Sequence, residues 1–514
     1  MERSVQVLKF GGTSVGNGER IRRVATIIAH HLHDAEGMFP VVVVSAMSGV
    51  TDQLLRIARF ACTGEHEACQ QELDALRQKH LEAADKAVHK REGRQALQHD
   101  LQVAFSVLEQ DVSAVEAGRG VAMKEQADEN NATAWALNAA PTISAWGERL
   151  SVLLVAAATR DIGVQAMPVR EEVIITADLQ VDTLPSFGTV VGADPLPHET
   201  RINAGRLIHP LIERGVVPVA PGFIGRTSRG YVTTLGRNGS DYSATVIGEA
   251  LDCAEVTIYT DVDGVLSADP RVVANTRLLP RLTYAEAARL SWFGARVLHP
   301  RTLIPVAHRN IPVRVRNTFR PHTRGTVVGP ELATRSSAAA ITVRKQLALI
   351  TVENTDLFGA PENAGQVFEL AARAGAAPVA ICSSSGHHLT FVVEERAVDS
   401  VVALLQHDMG SWRVSHRRDL AACACIGSGF TADPMSPARA ITALARERIP
   451  VITQGASDTG IILIVEESDS ERALRCLHRD LIAPVIPLVR HEKGREALQG
   501  ISEERNVYGG ARRT

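Results

Sequence analysis

The chain has 514 residues, a formal net charge of −3, 45% hydrophobic residues and 22% charged residues. That length sets an expectation of two to four domains, and the composition is that of an ordinary soluble globular protein. It excludes a basic field for nucleic acid or an anionic membrane surface, a bilayer-spanning segment (the longest aliphatic runs, such as Val41–Val44, are too short) and a disulfide framework built on seven cysteines. The N-terminus lacks a basic segment followed by an apolar core, so a cytoplasmic setting is expected.

The run from Val5 to Phe10 is β-branched and apolar and ends in Gly11-Gly12, which reads as a strand entering a tight turn. Without a Cβ, the backbone there can approach a ligand; Thr13 and Ser14 add hydroxyls, and Lys9 adds a point charge at the mouth of the strand. A helical pattern from about Gly18 to His31 puts a helix N-terminus beside the turn, a place for phosphate, although plain strand-to-helix geometry explains the same residues. Val41–Val44 is a second strand of the kind buried on both faces, ending in Ser45-Ala46-Met47-Ser48-Gly49. A helix follows over Val50–Arg59, with Thr51 and Asp52 near its start. This β-turn-α-β-turn-α order predicts an α/β layer with its ligands at the carboxyl ends of the strands.

Residues from about Cys62 to Ala140 are rich in Ala, Glu, Gln, Leu and His, which predicts two or three helices. A lid or a dimer surface is one reading; a solvated helical insertion without chemistry is preferred. Ile143–Ser151 opens an apolar helix whose Glu148 is either an ammonium partner or an exposed first-turn residue. Val216–Gly225 reads as one strand with a Pro-Gly exit. Thr233–Thr245 crowds small and hydroxylated residues around Arg237 and Asp241, with Ser240 or Asp241 expected as N-cap of the next helix. Val256–Val265 is a strand ending in an acidic turn; its aspartates either hold Mg²⁺ through water or make Asx turns. Phe293–Pro300 ends a helix, and Ile311–Asn317 is expected to be the last strand of this region. No Walker A, HExxH or serine-elbow pattern occurs.

After a polar linker near Gly329–Ser337, Ile341–Glu353, Ala364–Ala374, Val379–Ser383, Leu389–Glu394 and Val398–His407 read as β, α, β, β, α. Ala421–Ile426, Pro437–Arg446, Val451–Gln454, Ile461–Glu466 and Ser470–His478 repeat that order, offset by 72 residues between Cys382 and Gln454 and between Glu394 and Glu466. Two copies of one small α+β unit are expected. Ser436-Pro437 is read as a helix start, and Ser468 with Glu471 as a capping box. Gly427–Ala432 imitates a dinucleotide fingerprint, but its place in the repeat makes it a β–α turn; Cys423 and Cys425 read as buried small residues rather than metal ligands.

Taken together, Lys9–Ser14 (KFGGTS), Val44–Asp52, Ser144–Ser151 (SAWGERLS), Gly222–Gly225, Leu235–Ala244 (LGRNGSDYSA), Thr260–Gly264 with Asp269–Arg271, and Phe293–Arg301 (FGARVLHPR) resemble aspartate kinase (aspartokinase), of the amino acid kinase superfamily. The tandem C-terminal units resemble its ACT regulatory domains. The resemblance implies an α/β amino acid kinase fold over residues 1–330, with the helical insertion at about 62–140. It further implies two ACT-like βαββαβ units over 338–412 and 418–492 and a tail over 493–514. LGRNGSDYSA, FGARVLHPR and Gln454-Gly455-Ala456-Ser457 are most similar to the subfamily often fused to homoserine dehydrogenase, an activity this sequence does not imply.

The same resemblance implies phosphoryl transfer from ATP, with Mg²⁺, to the side-chain carboxylate of L-aspartate. Lys9, Gly11, Gly12 and Asp241 would be catalytic. Ser45, Thr51, Glu148, Arg237 and Ser240 would hold aspartate, with Glu148 facing its ammonium group. Lys9, Gly12, Thr260, Asp261, Arg271 and Arg296 would hold ATP, Arg296 standing where the family commonly has lysine. Some members carry an arginine at the position of Tyr231 to grip the substrate carboxylate; Arg226 or Arg229 is the expected substitute. Gln454 and Ser457 would take an inhibitory amino acid, threonine ahead of lysine, and the ACT units would join a homodimer or homotetramer. Rival readings are another carboxylate kinase, such as acetylglutamate kinase, and an inactive amino-acid sensor.

Overall fold

The structure is a computed structural model, described here for residues 4–33, 37–124, 139–178, 192–236, 238–295, 298–330, 339–354, 360–385, 388–409, 412–428, 430 and 433–482. Arg237, Arg296, most of the linker and the 493–514 tail lie outside them. No helix among the described residues is long and apolar enough to cross a membrane.

The first part opens with β1 (Val5–Phe10), α1 (Gly18–His33), β2 (Phe39–Val44), α2 (Val50–Thr63), α3 (His66–Ala87), α4 (Arg91–Lys124) and α5 (Trp146–Asp161). It continues through β3 (Ala166–Pro168), β4 (Ile175–Thr176), α6 (Pro197–Leu207), α7 (His209–Glu213), β5 (Val217–Pro221), β6 (Ile224–Thr227), β7 (Val232–Thr234), α8 (Gly239–Ala250) and β8 (Glu255–Thr260). It closes with β9 (Arg281–Thr283), α9 (Tyr284–Trp292), α10 (Pro300–Arg309), β10 (Val313–Asn317) and β11 (Thr326–Gly329). Eight strands form one sheet in the order β3-β5-β2-β1-β8-β10-β11-β9, parallel except where β11 runs against β10. Every residue of β2 is buried, as strands covered on both faces require. Lys9 therefore arrives near the carboxyl end of a central strand, level with Val43 on one side and Ile258 on the other. A small sheet, β4-β6-β7, stands beside the large one.

The helical stretch after α2 is not a solvated insertion. Leu97, Leu101, Phe105 and Leu108 of α4 and Leu73 and Leu76 of α3 are buried in the main core, covering α1, α2 and α5. Their apolar stripe has helical spacing, but Ala and Gln dilute it in the sequence. α5 is buried on all sides except at Arg149 and Arg160.

Several local expectations fail for identifiable reasons. The Val216–Gly225 strand is two strands, broken at Phe223, whose φ of 63° turns the chain. β11 follows β10, so Ile311–Asn317 does not end the sheet. Asn238 (φ 57°), not Ser240 or Asp241, stands at the N-cap of α8, which puts those two residues in its first turn. Asp433, accepting from Met435 N–H and the Ser436 hydroxyl, starts the helix expected at Ser436-Pro437 two residues early. Glu471 closes no capping box with Ser468; it pairs with Lys345 at 3.3 Å.

Beyond residue 338, β12 (Ala340–Asn354), α11 (Ala360–Arg373), β13 (Ala380–Ser385), β14 (His388–Glu394) and α12 (Val398–Asp408) are repeated. The second copy is β15 (Trp412–Ile426), α13 (Met435–Arg446), β16 (Thr453–Ser457), β17 (Gly460–Glu466) and α14 (Ser470–Leu481). β12 begins at 340 and β15 at 412, and they end at 354 and 426, a spacing of 72 in both cases. All six strands join one sheet, β13-β14-β12-β15-β17-β16. Leu347–Glu353 of β12 lies between β14 and the first half of β15, while Leu420–Ile426 of β15 lies between β17 and the first half of β12. Each long strand thus serves both copies, bending at Gln346 (φ 59°) and Asp419 (φ 56°). The boundary expected between 412 and 418 falls inside β15. Cys423 and Cys425 are fully buried, and burial pushes the Cys423 thiol up to about 12.

Candidate active site

Three helix starts converge beyond the carboxyl ends of β1 and β2. The first turns of α2, α5 and α8 bring Thr51 and Asp52, Glu148, and Ser240 and Asp241 to one cavity of 370 Å³. Lys9, Gly12 and Ser45 from the strand ends complete it. Helix N-termini present unpaired N–H groups and partial positive charge, so the cavity suits an anion. The turns must interlock for this to work. A Cβ on Gly12 would lie 2.9 Å from the Ala46 carbonyl oxygen, and one on Gly222 would lie 2.8 Å from the Ser240 Cβ. Ser48 donates its hydroxyl to the Gly12 carbonyl at 2.9 Å, and Lys79 of α3 donates to the Ser48 carbonyl at 2.7 Å. The helical layer thus braces the substrate turn, a role its composition did not signal.

Lys9 is buried and forms an ion pair with Asp241, whose Oδ1 is not aligned to accept a hydrogen bond. Glu148 is buried, with Oε1 accepting from Ala46 N–H at 3.0 Å and Oε2 without a partner. Burial pushes its carboxyl up to about 8, against the opposing pull of the Ala46 N–H and of the Lys9 charge. The exposed first-turn alternative for Glu148 is therefore excluded. Gly11 differs from its expected role, because its N–H donates to the Tyr259 carbonyl at 3.2 Å rather than facing the cavity. Arg226 and Arg229 do not line the cavity, and Arg229 pairs with Asp178 at 3.5 Å; Lys9 is the cation among the described lining residues.

A second cleft, of 860 Å³, opens past β8, the neighbour of β1. Thr260, Asp261 and Arg271 line it, as do Gly294 and Ala295 after α9 and Lys345 and Gln346 of β12. Asp269 holds the Arg271 guanidinium at 2.6 Å. Asp263 accepts from Asn317 at 2.8 Å and pairs with Arg320 at 2.6 Å, so it fixes its own turn. On the repeat, Gln454 is exposed on β16, and Ser457 accepts from Arg289 of α9.

The amino acid kinase family model matches residues 4–317, and an ACT domain model matches 424–481. The chain belongs to the amino acid kinase family. Within it, the chain is 30% identical over 497 residues to Aspartokinase 3, chloroplastic, of Arabidopsis thaliana, with 92% of this chain and 80% of that protein covered. It is 34% identical over 494 residues to Bifunctional aspartokinase/homoserine dehydrogenase 2, chloroplastic, of the same plant, covering 92% of this chain but 50% of that one. The chain thus spans about half the length of the bifunctional relatives it matches. Among solved structures, E. coli aspartokinase III in complex with aspartate and ADP (R-state) superposes with a TM-score of 0.71 at 27% identity, covering 93% of this chain and all of that one. The two family models leave residues 318–423 between them unmatched, and the superposition extends over 93% of the chain.

Proposed function

We propose that this amino acid kinase is an aspartate kinase, transferring the γ-phosphoryl group of ATP to the side-chain carboxylate of L-aspartate. The observation that carries the reading is that the buried Lys9–Asp241 ion pair and the half-partnered carboxylate of Glu148 line one cavity ringed by helix N-termini. Glu148 Oε2 takes the substrate ammonium, and Thr51, Ser45, Ser240 and Arg237 hold its carboxylates. Lys9 leaves Asp241 for the phosphoryl oxygens as charge gathers there. ATP spans from Thr260, Asp261, Arg271 and Arg296 to Gly12. The attacking group is already a carboxylate, so no general base is required, and catalysis is positioning with charge stabilisation.

Mg²⁺ fits the same site. Asp241 brings a carboxylate to the cavity, its Oδ1 paired with Lys9; when that lysine turns to the phosphoryl group, the Asp241 oxygens and the nucleotide phosphates would be the oxygen ligands. The ion would neutralise phosphate charge in transfer. We divide the chain into a kinase part up to about residue 330 and a regulatory part beyond, with threonine ahead of lysine as the inhibitor at Gln454 and Ser457, and assembly of copies through the regulatory part. Coupled ADP release with L-aspartate, glutamate and acetylglutamate tests the substrate. Turnover confined to L-aspartate is expected; preference for acetylglutamate, or no turnover at all, would overturn the reading.

A further inference from the structure

We infer that the face of the kinase unit between α1 and the loop after β10 is a second anion site, built for a small phosphorylated metabolite. A cavity of 640 Å³ lies there. Six of its lining side chains are Arg23, His30, His31, Arg316, Arg320 and His322, and no carboxylate lines it. Three arginines with no carboxylate in the lining make it a positive surface in a chain of net charge −3. Arg320 is matched from outside the lining by Asp263. Arg23 instead lies over the ring of Phe319, 5.5 Å from its centroid.

The floor gives an independent indication. Arg316 Nε is sealed from solvent and has no hydrogen-bond partner. Beside it the Tyr259 hydroxyl meets His31 Nε2 at 2.8 Å and also bonds the Arg316 side chain, so the guanidinium is held in place at the floor of the cavity. Guanidinium forks grip phosphate oxygens through two parallel hydrogen bonds, and a guanidinium already fixed in place loses less freedom in doing so. The volume exceeds what inorganic phosphate fills, and Ile27, Phe319 and Pro321 add apolar wall for the organic body of a ligand.

The site is separate from the proposed catalytic clefts, since none of its lining residues lines either of them. It is nevertheless joined to the phosphate turn. The Tyr259 carbonyl accepts from Gly11 N–H at 3.2 Å, and Arg20, which also lies over Phe319, donates to the Thr13 carbonyl at 2.8 Å.

The test is calorimetric titration of the full chain with inorganic phosphate, AMP and citrate, on the wild type and on Arg23→Ala and Arg316→Met. AMP is expected to bind more tightly than phosphate, and phosphate more tightly than citrate. Each substitution should weaken the phosphate-bearing probes by about tenfold or more. Arg23 is exposed, so its loss leaves folding intact and keeps the test valid should Arg316→Met unfold. Unchanged binding of phosphate and AMP in Arg23→Ala, citrate binding as tight as AMP, or no binding at millimolar concentration would each overturn the inference.

Discussion

Two charges compete for Lys9: the Asp241 carboxylate that holds it now and the phosphoryl oxygens it would stabilise in transfer. Removing it should cost kcat about a hundredfold or more, the scale of one lost transition-state donor, with little change in melting temperature. A well-folded Lys9→Ala with near-normal turnover would refute that role. Glu148 makes a prediction of a different kind. The folded chain holds its proton up to about pH 8, whereas an ordinary glutamate releases it near 4.5. Between those values the folded state binds more protons than the unfolded one, so this residue lowers stability as pH rises. Wild type should therefore lose more melting temperature from pH 5 to pH 8 than Glu148→Gln, and its aspartate KM should fall over the same range as the carboxylate ionises. Parallel stability curves for the two proteins would remove Glu148 from the account. Lys9, Glu148 and Asp241 were legible because charged residues stand out in apolar, Gly-rich surroundings. Phe223 and Asn238, which shape the cavity through positive φ, were not, since nothing in a bulky Phe signals a left-handed turn.

Among the elements, those with apolar runs could be read directly: β1, β2, β8, β14 and β17; β16, expected at Val451–Gln454, lies at Thr453–Ser457, where Thr, Gln and Ser carry no such run. The two- and three-residue strands β3, β4, β7 and β9 could not, because their pairing is decided by neighbours rather than by any run of their own. The turns work as a set. A methyl group at residue 12 would press on the Ala46 carbonyl, and the Ala46 N–H is what orients Glu148. Gly12→Ala should cost about 1–3 kcal/mol in denaturant melts and weaken aspartate and ATP together; an aspartate-only defect would show that the turns move independently. Helix α9 is the other element with two attachments. Arg289 grips Ser457 and, at 2.8 Å, Thr459, while the Trp292 indole donates to the Val379 carbonyl at 3.1 Å and the chain then passes directly into the Gly294-Ala295 wall of the second cleft. Arg289→Ala should shift the inhibitor titration several-fold, the range of ordinary coupling energies. An unchanged inhibition curve would mean that α9 carries no signal.

At the scale of the whole molecule the two parts share a core. Leu290 of α9 and Phe293 just after it pack in one continuous cluster with Ile462 and Ile464 of β17 and with Val392 of β14. Calorimetry should therefore show α9 and the regulatory sheet melting with the kinase unit in one main transition. An early transition that left turnover intact would separate them. The period of 72 was readable because both copies carry the same hairpin, but the crossing of β12 and β15 was not. It depends on two bends at residues 346 and 419 that only register reveals. That crossing has a practical consequence for anyone rebuilding the protein. Each copy borrows its inner strand from the other, so a graft that replaces one copy alone would leave its neighbour with three strands and a raw, adhesive edge. A transplant of foreign regulation would have to begin before residue 339, carry both copies through residue 482, and keep the partners as a matched pair.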